Sequence, residues 1–354
     1  MTATSSIAEG GLADFCEPSN MNRAESASAI LPETLASGVL TAIGNTPLVQ
    51  LRNYFGDSAA ASVFAKLELL NPMGSSKDRA AVSMLLAAIR EGRVIPGRTT
   101  IIESTSGNTG VALASVCKFF HLPLICVVDV RMTAQHGNIM RAFGATIDVV
   151  TVPDPISGEL LPARLRRVRE LLDNNQPSFW PDQYANVHNA AAHEITCAEI
   201  FRQLGRAPDF IFCATGTCGT IRGCSDFIAG AGARTNVVAV DALGSRIFDS
   251  PPQRRLIPGL GSAIRPPLVE GVPVERVVHV SEGDAVLGAR RLLETEAILA
   301  GGSSGAVMSA LAACDDILRE PKTVVVILAD SGERYLDTIY DDRWVAEQIG
   351  IAAR

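Results

Sequence analysis

Residues 209-DFIFCATGTCGTIRG-223 run from an aromatic and apolar stretch straight into a Gly/Thr loop and on into a helical pattern. The run 209–214 has strand length and little polar alternation, as expected of a strand covered on both faces. Gly216 and Gly219, with the hydroxyls of Thr215, Thr217 and Thr220, put small residues and donors where the helix begins. A helix start carries unpaired N–H groups and positive potential, so the loop suits a phosphate. No lysine follows the glycines as in a Walker A loop, and the spacing does not match the dinucleotide GxGxxG. A generic phosphate site is what these residues support.

The same alternation extends outward from about residue 60. Strands are expected at 62–68, 99–103, 124–128, 146–150, 209–214, 236–241, 277–280 and 323–328. Helices are expected at 78–91, 108–120, 133–142, 160–173, 188–204, 219–229, 283–297 and 305–318. Apolar strands between amphipathic helices imply an α/β fold of open, mostly parallel sheets, with ligands at the C-terminal strand ends. The Pro-rich segment 251–273 reads as a long functional loop. Residues 1–36, rich in Ala, Ser, Glu and Thr with little periodicity, read as a mobile extension outside the catalytic part.

The chain of 354 residues is long enough for about two domains. Its net charge of −7 argues against a nucleic-acid partner or an anionic membrane surface. No apolar run reaches membrane-spanning length, and no secretory signal is seen. Eight cysteines without a CxxC pair, and five histidines without ligand spacing, read as reduced core residues and no metal site. A cytoplasmic protein is expected.

Three further loops carry small polar residues. In 103-ESTSGNTG-110, Ser104, Thr105, Ser106, Asn108 and Thr109 surround a helix start and suit a carboxylate; taken alone, a capped turn is an equal reading. The loop 301-GGSSGA-306, ahead of the helix expected at 305–318, reads alone as a turn. In 71-NPMGSSKDR-79, Lys77 stands at a helix start, and only four of the 31 basic residues are lysines. A lysine amine can form a Schiff base and a guanidinium cannot. Lys66 is the competing lysine, but it lies on a strand. A lysine, a phosphate cradle and a carboxylate cradle together are what pyridoxal phosphate chemistry on an amino acid requires.

With these loops in order, the chain resembles the fold-type II pyridoxal-phosphate enzymes of the cysteine synthase and cystathionine β-synthase group. The likeness runs from 37-SGVLTAIGNTPLVQL-51 to 330-DSGERYLDTIY-340. It implies a tryptophan synthase β-like fold: two open, twisted, mostly parallel sheets flanked by helices. The smaller, mobile substrate-binding domain would span 78–186, and the larger cofactor-binding domain would combine 37–77 with 187–354. The resemblance makes Lys77 the Schiff-base lysine. Asn108 would bond the cofactor's 3′-oxygen, Gly216, Thr217, Cys218, Gly219 and Thr220 would hold its phosphate, and Ser303 would face its ring nitrogen. Ser104, Thr105, Ser106, Thr109, Gln183, Arg164 and Gly259 would bind substrate. A hydroxyl at Ser303 is too weak an acid to keep the ring nitrogen protonated, which suits β-elimination and replacement more than transamination.

Asp78 and Arg79 are expected to anchor the lysine loop by ion pairs, and His188 and His193 to sit on a helix face. Cys218 reads as a packing residue. Within the group, 240-VDALGSRIF-248, 183-QYAN-186, 258-PGLGSAIRP-266 and 334-RYLDTIYDDRW-344 resemble the synthases of N-(2-amino-2-carboxyethyl)-L-glutamate. Those enzymes join O-phospho-L-serine to L-glutamate in 2,3-diaminopropionate supply for siderophores such as staphyloferrin B and for peptide antibiotics. Leu243 and Gly216 depart from those relatives, which carry lysine and serine there. The resemblance implies amino-acid substrates and a homodimer. In 164-RLRRVRE-170, Arg164 at the helix start reads equally as a partner for a phosphorylated substrate, as the resemblance implies, or as part of a solvated face, whereas Arg166, Arg167 and Arg169 read as a solvated face. A cysteine synthase using sulfide, and an inactive binding protein on the same fold, are the alternatives.

Overall fold

The computed structural model describes residues 38–351 apart from Ser157 and Pro252, so the expectation for residues 1–36 falls outside it. Strands β1 (Leu48–Gln50) and β2 (Ser62–Leu67) precede helix α1 (Lys77–Arg90). Then come β3 (Thr100–Ser104), α2 (Asn108–Phe119), β4 (Leu124–Asp129), α3 (Ala134–Ala142), β5 (Thr146–Val150), α4 (Leu160–Asn174) and β6 (Ser178–Phe179). Next are α5 (Val187–Leu204), β7 (Phe210–Ala214), α6 (Gly219–Gly230), β8 (Asn236–Ala242) and β9 (Arg276–Val280). Helices α7 (Glu282–Glu296), α8 (Gly302–Ala312) and α9 (Asp315–Leu318) lead to β10 (Thr323–Leu328).

The strands form two sheets, β1-β2-β10-β7-β8-β9 and β5-β4-β3-β6. Among the described strands only β1 runs antiparallel to its neighbour. Strand β10 lies between β2 and β7, with Val324 opposite both Val63 and Phe210. All six of its residues are buried, and covering a β-branched side chain completely is worth about 1.5–3 kcal/mol. That is why the run 323–328 alternates in neither polarity nor size.

Helix ends follow local chemistry. Asn186 accepts from His188 N at the start of α5, and the helix stops at Gly205 in the left-handed region, φ 69°. Ser281 likewise caps α7 by accepting from Asp284 N.

Three expectations need correction. The edge strands β1 and β6, three and two residues long, were not anticipated. The helix expected at 305–318 is two helices, broken at Ala313 and Cys314. Its start is earlier, so 302–306 is a helical turn and not a loop. The glycines there serve close helix packing: a Cβ on Gly305 would lie 2.0 Å from Ala285 O, and one on Gly288 2.2 Å from Gly305 O. Sequence alone reads such small residues as a turn.

Candidate active site

The C-terminal ends of β3, β4, β7 and β10, from both sheets, border one cavity of about 250 Å³. Ser104, Asp129, Ala214 and Ala329 mark those ends on its wall. Lys77, Thr105, Ser106, Asn108, Thr109, Arg164, Gln183, Gly216, Thr217, Cys218, Gly219, Thr220, Gly259 and Ser303 also line it. Every residue expected to bind cofactor or substrate is therefore on this wall.

Lys77 opens α1. Its loop is tied to the end of β10 by Ser76 N donating to Ala329 O at 2.8 Å and Ser331 N donating to Gly74 O at 3.0 Å. Gly74 adopts φ 71°, which a side chain would strain. The Lys77 amine donates to Ser76 Oγ at 3.1 Å. Burial lowers its pKa, against the opposing pull of Asp330, Glu68 and Asp78. A less protonated amine is the form that acts as nucleophile and base.

Asp78 does not anchor the loop by an ion pair, as was expected. Its carboxylate accepts from Met73 N at 2.6 Å, and burial pushes its pKa up to about 7. Arg79 does pair, with Glu68 and Glu199, each at 2.7 Å. Lys66 joins the same buried cluster through Glu199 at 2.7 Å and is no part of the cavity wall.

The phosphate-type loop enters α6 through Cys218, which is buried and left-handed at φ 65°. Gly219 is required where it stands, since a Cβ would lie 2.2 Å from Asn189 Oδ1. Asn189 Nδ2 donates to Thr217 Oγ1 at 3.1 Å. His193 Nε2 lies 3.3 Å from Thr220 Oγ1. Burial pushes that imidazole down to about 3, so it stays neutral behind the loop. His188 lies on the surface beside Glu91 at 3.5 Å.

Around 104–109, Thr105 Oγ1 accepts from Gly110 N at 2.9 Å. Thr109 Oγ1 donates to Gln183 Oε1 at 2.7 Å, while Gln183 Nε2 donates to Ser104 O at 3.1 Å. Arg164 Nη1 donates to Ser106 Oγ at 2.8 Å. Ser104 Oγ is buried on the wall without a hydrogen-bond partner. Arg166 and Arg167 point away to Asp154 and Asp148.

Glu103 lies under this loop and accepts from Ser104 N at 2.9 Å, Trp180 Nε1 at 3.2 Å and Gln183 N at 3.3 Å. Burial pushes its pKa up to about 8, with the Trp180 bond acting the other way. The folded chain thus holds a proton there that the unfolded chain releases in the ordinary carboxylate range. Its stabilising contribution is present at low pH and is lost as pH rises through the folded value. Glu103→Gln is expected to flatten the fall of the urea midpoint between about pH 5 and pH 8. An unchanged slope contradicts a protonated Glu103.

Several wall residues were missed. Asp330 Oδ2 accepts from Asn108 Nδ2 at 2.7 Å and from Tyr335 Oη at 2.5 Å, and Ser303 Oγ lies 3.4 Å from Oδ1. Arg334, which is not itself on the wall, donates to Asn108 Oδ1 and to Met73 O. His136, Tyr184, Arg131 and Arg255 also line the cavity. The motif 330-DSGERYLDTIY-340 was the available signal, but nothing in it names Asn108 as the partner. Leu243 is not on the wall. Among the described residues no helix is long and apolar enough to cross a membrane, and no His/Cys/Asp/Glu group could hold a metal ion.

The donors fit pyridoxal phosphate. A lysine amine, a helix start with Thr217 and Thr220 hydroxyls, and the Ser303 hydroxyl share one cavity, and Ser104 Oγ is buried there with no partner. The family model described as "Pyridoxal-phosphate dependent enzyme" matches residues 39–330. A protein of Cupriavidus metallidurans named N-(2-amino-2-carboxyethyl)-L-glutamate synthase is 41% identical over 324 residues, covering 90% of this chain and 93% of its own. One of the same name from Ralstonia nicotianae is 42% identical over 313 residues, covering 88% and 92%. Among solved structures, the O-acetylserine dependent cystathionine β-synthase of Helicobacter pylori superposes with TM-score 0.80 at 30% identity, covering 86% of this chain and 99% of that one. A hydrogen sulfide-producing enzyme of Fusobacterium nucleatum gives TM-score 0.78 at 32% identity, covering 85% and 100%.

Proposed function

The chain belongs to the pyridoxal-phosphate dependent enzymes, as a β-replacement transferase of the cysteine synthase family, and from that premise we propose that it joins O-phospho-L-serine to L-glutamate. The products are N-(2-amino-2-carboxyethyl)-L-glutamate and phosphate. The reading extends to a homodimer in the cytoplasm that supplies 2,3-diaminopropionate for a siderophore or peptide natural product.

The observation that carries this reading is the set of arginines on a wall that also holds Asp129, Glu159 and Asp330, with Arg164 Nε 3.3 Å from Asp129 Oδ2. Arg131, Arg164 and Arg255 line the same cavity as Lys77. A phosphorylated donor and a dicarboxylic acceptor bring several anionic groups, and arginine recognises phosphate and carboxylate with paired N–H bonds. Sulfide needs no such wall. The 41% and 42% identities to the two synthases support the same choice.

Pyridoxal phosphate, when bound, supplies an electron sink for charge at the substrate α-carbon. Lys77 would hold it, with Thr217, Gly219 and Thr220 at its phosphate, Asn108 at its 3′-oxygen and Ser303 at its ring nitrogen. The Lys77 amine, biased toward its neutral form by burial, takes the α-proton and later returns it. Ser104, Thr105, Ser106, Thr109 and Gln183 orient the substrate carboxylate, and Arg164 draws the leaving phosphate. Closure of segment 78–186, which carries that loop, excludes water during the exchange.

The test offers O-phosphoserine or O-acetylserine with glutamate or sulfide, and identifies products by mass. The N-linked glutamate adduct from O-phosphoserine is expected to dominate. Cysteine as the main product, with phosphate release independent of glutamate, sinks this reading in favour of a cysteine synthase. Arg255 is half-buried on the wall, its Nη1 3.5 Å from Leu260 O. Arg255→Ala is expected to raise the KM for glutamate about tenfold to a hundredfold while leaving the KM for sulfide, where sulfide turns over, within about threefold. Equal effects on both acceptors would remove Arg255 from acceptor recognition.

A further inference from the structure

His136, in the first turn of α3, lines the cavity and has no part in the mechanism above. It is 1% exposed. Its Nδ1 lies 2.6 Å from Thr133 Oγ1, and its Nε2 lies 3.2 Å from Asn108 Oδ1.

The neighbours of this row fix the direction of each of its hydrogens. An asparagine amide can face either way on shape alone. Here Arg334 reaches Oδ1, and an arginine can only donate. Nδ2 faces Asp330 Oδ2 at 2.7 Å, an oxygen that already accepts from Tyr335. Both neighbours fix the same orientation. Oδ1 can only accept, so His136 Nε2 carries a hydrogen. Nδ1 of the neutral ring is then the acceptor and takes the Thr133 hydroxyl. Thr133 Oγ1 itself accepts from His136 N at 3.3 Å as the cap of α3. Burial, reinforced by Arg334, pushes the imidazole down to about 4, which keeps it neutral. The ring also roofs the loop, since a Cβ on Gly107 would lie 4.0 Å from Nε2.

We propose that Thr133 and His136 form a positioning relay that holds the Asn108 amide N–H toward the cofactor's 3′-oxygen and strengthens it as a donor. The proposal rests on the reading that Asn108 meets that oxygen. The physical reason is polarisation: two donors on Oδ1 draw charge to the carbonyl, and successive bonds in a row strengthen one another. One Nδ2 hydrogen is spent on Asp330 at 2.7 Å, and the second, with Tyr335 Oη at the longer distance of 3.5 Å, is the one left for the cavity. His136 touches no reacting atom and acts only through Asn108.

The test uses the holoenzyme and compares His136→Leu, which removes the donor, with His136→Gln, which returns an N–H near the Nε2 position. His136→Leu is expected to shift the visible absorbance band and to raise the cofactor dissociation constant about fivefold to fiftyfold. It should lower kcat about tenfold or more while the KM for O-phosphoserine stays within about threefold. His136→Gln is expected to recover most of each change. Thr133→Val should move the band in the same direction by less, and Thr133→Ser should keep the parent band. A Leu variant with the parent's band, cofactor affinity and kcat overturns the relay, and so does one altered only in melting temperature. Should Leu prevent folding, the Thr133 pair decides by the same band. A parent enzyme with no visible band overturns the relay together with the reading beneath it, and that result appears before any substitution is made.

Discussion

Lys77→Ala is expected to abolish the visible band of covalently held cofactor and to lower turnover by about four orders of magnitude. No other amine can take over. The chain has four lysines, and Lys66, Lys118 and Lys322 do not line the cavity. Lys66 is fully buried in its pair with Glu199 at 2.7 Å, which commits its ammonium to structure. Lys77→Arg separates charge from chemistry. It restores a cation where burial already disfavours one and still cannot form the covalent link. Absorbance spectroscopy and single-turnover product analysis read both variants. Turnover in Lys77→Ala close to the parent's would refute the role of Lys77, whereas a parent with neither band nor turnover would leave a binding protein on the same fold.

Glu199→Ala should produce the largest loss of stability, about 3–5 kcal/mol, because it strips the partner from two buried cations. Glu199 Oε2 receives Lys66 Nζ and Arg79 Nη2, each at 2.7 Å, and Oε1 receives Asn45 N at 2.8 Å. Arg79 would keep Glu68 at 2.7 Å, but Lys66 would keep only Thr46 O and Gln203 Oε1. Glu199→Gln retains acceptor and shape without charge and should lie between parent and Ala. Urea unfolding monitored by circular dichroism measures the series. An Ala variant within about 1 kcal/mol of the parent means that water or a rearranged partner compensates both cations. The cluster also reaches the loop that carries Lys77: Glu68 O receives Asn71 Nδ2 at 2.8 Å, and Asn71 Oδ1 receives Gly44 N at 2.9 Å. Loss of Glu199 is therefore expected to loosen the turn that presents Lys77.

Much of this molecule was legible in the chain. The strands at 236–242 and 323–328 are built on the apolar runs 237–240 and 324–328, and such runs are expected where both faces are covered. Strands β1 and β6 were not legible, because three or two residues cannot display a period. Helix α8 was misplaced because its glycines answer to packing against α7, a contact the local pattern does not contain. In the site, the loops carrying Lys77, Asn108, Gly216 and Ser303 could be read because each holds a compact group of small donors. The partners of Asn108 could not. Asp330 and Arg334 lie more than two hundred positions away in sequence, and a buried carboxylate or guanidinium announces its partner only through the fold. His136 sat on an ordinary helical pattern, and its tautomer follows from neighbours on three different segments.

The position of β10 bears on how the molecule comes into being during translation. All four strands of the smaller sheet lie between residues 100 and 179, so that sheet can assemble while the ribosome is still at work on the second half. The larger sheet cannot. Strands β2 and β7 have no direct pairing and wait for residues 323–328 to slot between them. The lysine turn then receives its backbone bond from Ser76 to Ala329, and Asp330 reaches Asn108. Non-local closures of this kind are slow, because a long loop must be ordered before any contact repays it. Through the second half of synthesis the nascent chain thus carries its smaller sheet with no competent cofactor pocket. Under the role proposed for Lys77, a reactive aldehyde cofactor meets that amine in the right surroundings only once the final strand is home.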